Sequence, residues 1–299
     1  MTNIECAAVK RGDGNSGVGM KIGLIGTDSS HAEQFLGQLN IEARHVGFTA
    51  DAIWGADPVR NAALAREFAV DRVVPTPLAM LGSVDAVIVG DRHGGLHLEH
   101  ALPFLKAGIP VLVDKPLACS LADAEAMLTA ARRAGTMLVS ASAVRWQPDV
   151  EALADRIAGL GGLRELIASG SFYPDSEYGG AFFYGIHTVE LALELAGADF
   201  EAVSVEAGNP DLMVARCNVG TVRVRIRLVR PGADGKTSFS AEAICAAGNA
   251  AQPIRLGDDY MAPVLDRFIG MLRGKNPPLS DAQLLAPVRL MAAIDAAMY

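Results

Sequence analysis

The sequence predicts an α/β protein in two parts: a doubly wound parallel sheet over residues 20–143, then an α+β unit over 144–299 with a large, mostly antiparallel or mixed sheet. Two observations carry this reading. Up to about residue 143, short runs of consecutive apolar residues alternate with helical stretches, the pattern of βαβ units whose strands are covered on both faces. Beyond Val144 the strands lengthen, and the clearest of them, VRVRIRLVR (222–230), alternates apolar residues with Arg223, Arg225 and Arg227, as a sheet with one buried face does.

The elements follow in order. Residues 1–19 are polar and glycine-rich without periodicity, and read as a flexible leader. KIGLIG (21–26) is a buried strand ending in glycine, followed by a helix to about Leu39 and a second strand, GFTADAIWG (47–55). Asp57-Pro58 supplies an N-cap and a proline at the first helical position, opening a helix to about Phe68. VDAVIVG (84–90) is another buried strand, and the helix that starts near Leu96 ends at Gly108. IPVLVD (109–114) and TMLVSAS (136–142) flank a helix that Ser120 and Asp123 open and Gly135 closes. A helix over 149–158 begins the second part, and two helices around GKNPPLSD (274–281) finish it.

Composition narrows the function classes. Of 299 residues, 51% are hydrophobic and 20% charged, as in a compact protein. A formal net charge of −8 argues against a sequence-independent grip on nucleic acid or anionic membrane. No apolar run approaches the roughly 20 residues of a membrane span. Cys6, Cys119, Cys217 and Cys245 lie far apart with no CxxC pair, and read as reduced thiols of a cytoplasmic protein.

Three segments resemble the Gfo/Idh/MocA family of NAD(P)-dependent oxidoreductases. VLVDKPLA (111–118) resembles the family's Glu-Lys-Pro signature, with Asp114 in place of the glutamate. AVRWQP (143–148) resembles the passage into its second domain, and YGGAFFYGIHTVELALELAG (178–197) its glycine-rich turn, catalytic histidine and following helix. The resemblance implies a Rossmann-type domain, NAD or NADP as cofactor, a small hydroxy or oxo substrate such as a sugar or polyol derivative, and a homodimer or homotetramer. It assigns Lys115 to the substrate oxygen and His187 to the hydroxyl proton, a role suited to a side chain that titrates near neutrality.

The first strand–helix turn departs from GxGxxG: it reads Gly26-Thr27-Asp28-Ser29-Ser30-His31, and these six residues are the candidate cofactor turn. Asp28 stands where a pyrophosphate is expected, and two unit charges ~4 Å apart repel by about 4 kcal/mol at an effective dielectric near 20. Gly55 stands where an acid for a ribose hydroxyl is expected, and Arg60 is the nearest cation for a 2′-phosphate. Asp91, His93 and His97 follow the strand VDAVIVG (84–90) and join Asp114 and Lys115 in the expected cofactor site. Phe183 stands where the family places an aspartate, four residues before the histidine, and Tyr184 or Tyr178 is the candidate replacement hydroxyl. Two alternatives stay open. Asp28 and His31 with Asp91, His93 and His97 can form a metal site or an acid–base set for a non-redox isomerase or lyase. The cleft can also belong to an inactive ligand-binding protein. His100 is expected at the surface or against a neighbouring helix.

Overall fold

Residues 19–209, 211–233, 235 and 237–298 are described in a computed structural model. The expected leader lies almost wholly outside these residues.

The first sheet has six parallel strands in the order β3-β2-β1-β4-β5-β6: β1 (Met20–Ile25), β2 (Phe48–Trp54), β3 (Arg72–Val73), β4 (Ala86–Val89), β5 (Val111–Asp114) and β6 (Leu138–Ala141). This is the strand order of a dinucleotide fold, and the reversal between β1 and β4 opens a crevice at their C-terminal ends. Every side chain of β4, β5 and β6 is buried, which is why these strands read as unbroken apolar runs. The two-residue β3 is too short to leave a periodicity and was not expected from the sequence.

Helices cover both faces. α1 (Ser30–Leu36) runs on into a π-helical turn over 37–41. α2 (Pro58–Glu67) is capped by Asp57, whose carboxylate accepts the N–H groups of Val59 and Arg60. α3 (His97–Lys106) precedes β5, and α4 (Leu121–Ala134) starts under the Ser120 hydroxyl and stops at Gly135 in the left-handed conformation.

The second sheet is mixed. Its order is β12-β11-β7-β10-β9-β8, with β7 (Leu163–Ser171) parallel to β10 (Val222–Val229) and the other pairings antiparallel. β8 (Phe200–Asn209), β9 (Leu212–Val219), β11 (Phe239–Cys245) and β12 (Gly248–Ile254) complete it. Along β10 the alternation holds: Val224, Ile226 and Leu228 are buried, and the arginines lie on the other face. α5 (Pro148–Gly159) enters this part of the chain, and α7 (Ala262–Leu272) and α8 (Asp281–Ala296) end it.

α6 (Phe182–Ala196) ties the two parts together. It packs on β7, β10 and α8, and its side chains from Ile186 to Leu193 are all buried. A buried carboxylate, Glu190, accepts the N–H of Ser142 at the end of β6 at 2.9 Å. Arg145 lies 3.7 Å from Glu190 and donates to Glu194 at 2.7 Å. Burial pushes the Glu190 carboxyl up to about 7, against the pull of Arg145 and the Ser142 N–H, and the charges of Glu194 and Asp114 add to the rise. The folded chain therefore holds a proton that the unfolded chain has released, and this stabilisation, present at acid pH, is lost as pH rises through about 7. Glu190→Gln should gain on the parent by about 2 kcal/mol between pH 5 and pH 8 in denaturant unfolding. A difference that does not change with pH would mean that Glu190 is ionised throughout.

Candidate active site

The C-terminal end of β5 delivers Asp114 and Lys115 into the crevice, and both are buried. A carboxylate with 1% of its surface exposed needs partners on the spot. Asp114 Oδ2 lies 2.7 Å from Nδ1 of His31, at the start of α1. Burial alone would raise the Asp114 pKa, but His31 and Lys115 reverse this and hold the carboxyl well below the usual carboxylate range. Its second oxygen, Oδ1, is buried without a partner. Among the described residues no carboxylate lies within ion-pairing distance of Lys115 Nζ, which sits 5.2 Å from the centre of the Phe183 ring.

α6 brings His187 to the same place. Its Nδ1 is buried and makes no hydrogen bond. Burial first, then the charges of Lys115 and His31, lower its pKa well below the ordinary imidazole value, so the ring is neutral at physiological pH. Tyr184 packs edge-on against His187 with ring centres 5.4 Å apart, and Tyr173 and Phe183 flank Tyr184 in turn. Burial raises the Tyr184 pKa, so its hydroxyl stays protonated. Tyr178, the other candidate hydroxyl, lies under the guanidinium of Arg92, 4.4 Å from ring centre to Cζ. Phe183 and Tyr184 also line an open cavity of about 520 Å³.

The first turn keeps its close approaches. Gly26 has φ +85°, and a Cβ there would lie 2.3 Å from the Asp91 nitrogen. A Cβ at Gly55 would lie 1.9 Å from the Thr27 hydroxyl, which itself donates to Asn61 at 2.6 Å; the missing acid is explained by lack of room. Asp28 accepts the N–H of Arg92 at 3.1 Å, the Ser29 hydroxyl donates to Gly90 O at 3.4 Å, and the Ser30 hydroxyl lies 2.9 Å from that of Tyr260. Arg60 reaches back from α2 to the carbonyls of Thr27 and Ser29 and pairs with Glu33 at 2.6 Å.

The alternative metal set does not assemble. His31 goes to Asp114, and His93 accepts the N–H of Gly95 at 2.9 Å. His97 spans the carbonyls of Pro116 and Asp91 at 2.7 and 2.9 Å, fastening the loop after β4 to the loop after β5. Asp91 pairs with His100 at 2.7 Å. Among the described residues no three His, Cys, Asp or Glu side chains are grouped to hold a metal. His100 corrects the expectation of a residue facing solvent or a neighbouring helix: it is buried, paired with Asp91 and packed crosswise on the ring of Trp54. A histidine three residues after His97 lies on nearly the same helix face and follows it inward, a spacing that could have signalled burial.

Residues 20–142 match the family model described as an oxidoreductase family with an NAD-binding Rossmann fold. Over these residues the chain is similar to the Gfo/Idh/MocA family. A 1,5-anhydro-D-fructose reductase of Ensifer adhaerens is 34% identical over 138 residues, 46% of this chain and 40% of that protein. The scyllo-inositol 2-dehydrogenase (NADP(+)) of Bacillus subtilis is 27% identical over 38% of this chain and 40% of its own length. The chain thus spans less than half the length of these two curated relatives. The likeness of fold runs further: the myo-inositol 2-dehydrogenase of Lactobacillus plantarum superposes with a TM-score of 0.78 at 14% identity, over 94% of this chain and 97% of that one.

The residues fit a dinucleotide of this family. The glycine turn admits close approach of a ligand to backbone, and beside Lys115 the unpartnered Asp114 Oδ1 and His187 Nδ1 await polar groups. The place where this chain departs is the third glycine position, where the His31 ring now reaches across to Asp114.

That bridge should be energetically coupled. Asp114→Asn is expected to cost about 3 kcal/mol, because it removes the charged partner of His31 from a buried bridge. In a double-mutant cycle with His31→Gln, followed by chemical unfolding, the two losses should fall short of additivity by more than about 1 kcal/mol. Strict additivity would refute the bridge.

Proposed function

We propose that the protein is an NAD(P)-dependent oxidoreductase that moves a hydride between the nicotinamide and a small hydroxy or oxo compound, such as a sugar or polyol derivative. The observation that carries this is the buried pair of Lys115 and a neutral His187, packed against the rings of Phe183 and Tyr184, with a ring nitrogen lacking any partner among the described residues. The named activities of the curated relatives, a sugar reductase and a polyol dehydrogenase, support the same class.

The backbone of the Gly26–His31 turn, with Asp114 and Lys115, would hold the dinucleotide, and bound there it supplies the acceptor or donor of the hydride. The protein's own part is the proton and the alignment. Lys115 donates a hydrogen bond to the substrate oxygen and stabilises the charge that grows on it as the O–H bond breaks. His187, neutral and unpartnered at Nδ1, takes that proton, and returns it when the reaction runs towards the alcohol. Lys115 and His31 discourage an imidazolium before substrate arrives, so the base form persists at pH values where a free histidine is charged.

The protein works in the cytoplasm, which accords with the free thiols of Cys119, Cys217 and Cys245; no described helix is long and apolar enough to cross a membrane. Two copies pair through the outer face of the second sheet. There Glu165 already pairs with Arg223 and Arg225, and Val229 and Ile244 are exposed apolar residues. Its partners are a small-molecule substrate and further copies of itself, not nucleic acid or membrane.

Titration with NADH and NADPH, read by nicotinamide fluorescence, should give saturable micromolar binding to one of them. No binding up to millimolar concentrations would overturn the proposal. His187→Asn should lower kcat by about 10²–10⁴-fold with little change in that binding. In the parent, the acid limb of kcat/KM should fall below pH 6.5, because the His187 pKa is lowered in the folded protein.

A further inference from the structure

The cavity lined by Phe183 and Tyr184, the rings that Lys115 and His187 touch from outside its lining, carries a charge that neither role uses. It is lined by Tyr173, Tyr178, Phe183 and Tyr184, with Arg92 and Arg230 among them. Arg230 is already neutralised, by Asp175 at 2.9 Å and Asp211 at 3.3 Å. Arg92 is not. It is half-buried, and its guanidinium lies over the rings of Tyr178 and Phe183, 4.4 and 5.3 Å from their centres. Among the described residues every other buried or half-buried arginine has a carboxylate within 4 Å, and Arg92 alone has none.

A guanidinium partly withdrawn from water and set over aromatic rings can keep N–H donors for something else. Aromatic contact holds the group in place, so less freedom is lost when an acceptor arrives. Phe183 matters twice, since its ring is shared by Arg92 and by Lys115, 5.2 Å from the Lys115 Nζ. An anionic group on Arg92 would therefore sit beside a ring that the lysine addressing the reacting oxygen also touches. The cavity volume is that of a small-molecule site.

We propose that Arg92 is a specificity residue that selects substrates carrying a carboxylate, so that this protein acts on sugar acids or polyhydroxy acids in preference to their neutral counterparts. The proposal rests on the oxidoreductase reading for its chemistry, but its binding step stands apart from it. A carboxylate matches the single free fork of Arg92 in a bidentate pair. A phosphate dianion would call for a second free cation, and Arg230 is committed to Asp175 and Asp211. The acidic groups at this cavity fit the same choice: Asp175 is taken up by Arg230, and Glu177 is solvent-exposed at the rim.

Matched probes decide it. D-gluconate and D-sorbitol share a carbon chain and differ in a terminal carboxylate, as do D-galacturonate and D-galactose. Binding of the four to the whole protein is followed by calorimetry, with and without NAD⁺ or NADP⁺, at low and at physiological salt. At least one acid should bind tenfold or more tightly than its neutral partner. The preference should vanish in Arg92→Met and persist in weakened form in Arg92→Lys, while NADH or NADPH affinity stays within about twofold. Equal binding within each pair, a preference that survives Arg92→Met, or no binding by either acid would overturn the proposal. If the parent binds neither dinucleotide yet prefers the acids through Arg92, the carboxylate site stands and the redox reading falls.

Discussion

A carboxylate at the buried end of β5 has to be compensated within a few ångströms, and the compensation of Asp114 organises the rest of the crevice. Lys115 follows it in sequence and lends a nearby positive charge that pairs with neither oxygen. His31 supplies the partner of Oδ2 from α1, across the switch point between β1 and β4. Three ionisable groups from two elements thereby share one small, dry volume. Their fields then reach His187, where Lys115 and His31 outweigh Asp114 and keep the imidazole uncharged. The neutral base thus follows from burial and from a net positive neighbourhood.

The bridge also accounts for the form of the first turn. A glycine at position 31 would let α1 pack closely on the strands; a histidine there needs a partner and finds one on β5. With the side chain engaged, the turn is held from its other side by Arg60, which binds the carbonyls of Thr27 and Ser29. Asp28 is occupied by the N–H of Arg92, so its negative charge is partly met before any ligand arrives. What reads in the sequence as an eroded glycine motif is, in three dimensions, a turn fastened by side chains where backbone proximity usually suffices.

Much of this was legible beforehand, for physical reasons that also explain the failures. Asp57, Ser120 and Gly135 announced helix ends because capping is local, a matter of three or four residues. The fully buried strands and the alternating β10 were legible because burial on one or two faces writes itself into the period. Lys115 and His187 were singled out through the motifs around them, and both are buried close to Asp114 and His31. The partners were not: His31 with Asp114, Asp91 with His100, and Glu190 with Arg145 join residues whose meeting depends on strand order and helix docking. Residue type alone suggested gathering the histidines and aspartates of two loops into a metal site. The structure distributes them instead, each to a separate hydrogen-bonding duty, because five polar side chains in a packed crevice are satisfied most cheaply by neighbouring backbone and by one another.

Phe183 shows how one replacement redirects a site. An aspartate there would place a negative charge beside the lysine and the histidine, and would neutralise any arginine nearby. A phenyl ring removes that charge and lends its face to two cations at once, Lys115 and Arg92. The electrostatic balance of the cleft moves towards positive, with Asp114 as a buried anion within it. A site with that balance favours an anionic guest over a neutral one, since the guest's charge does the work the lost carboxylate would have done. The loss of the acid and the unpaired arginine are then two sides of a single change, from a cleft that carries its own counter-charge to one that requires it of the substrate.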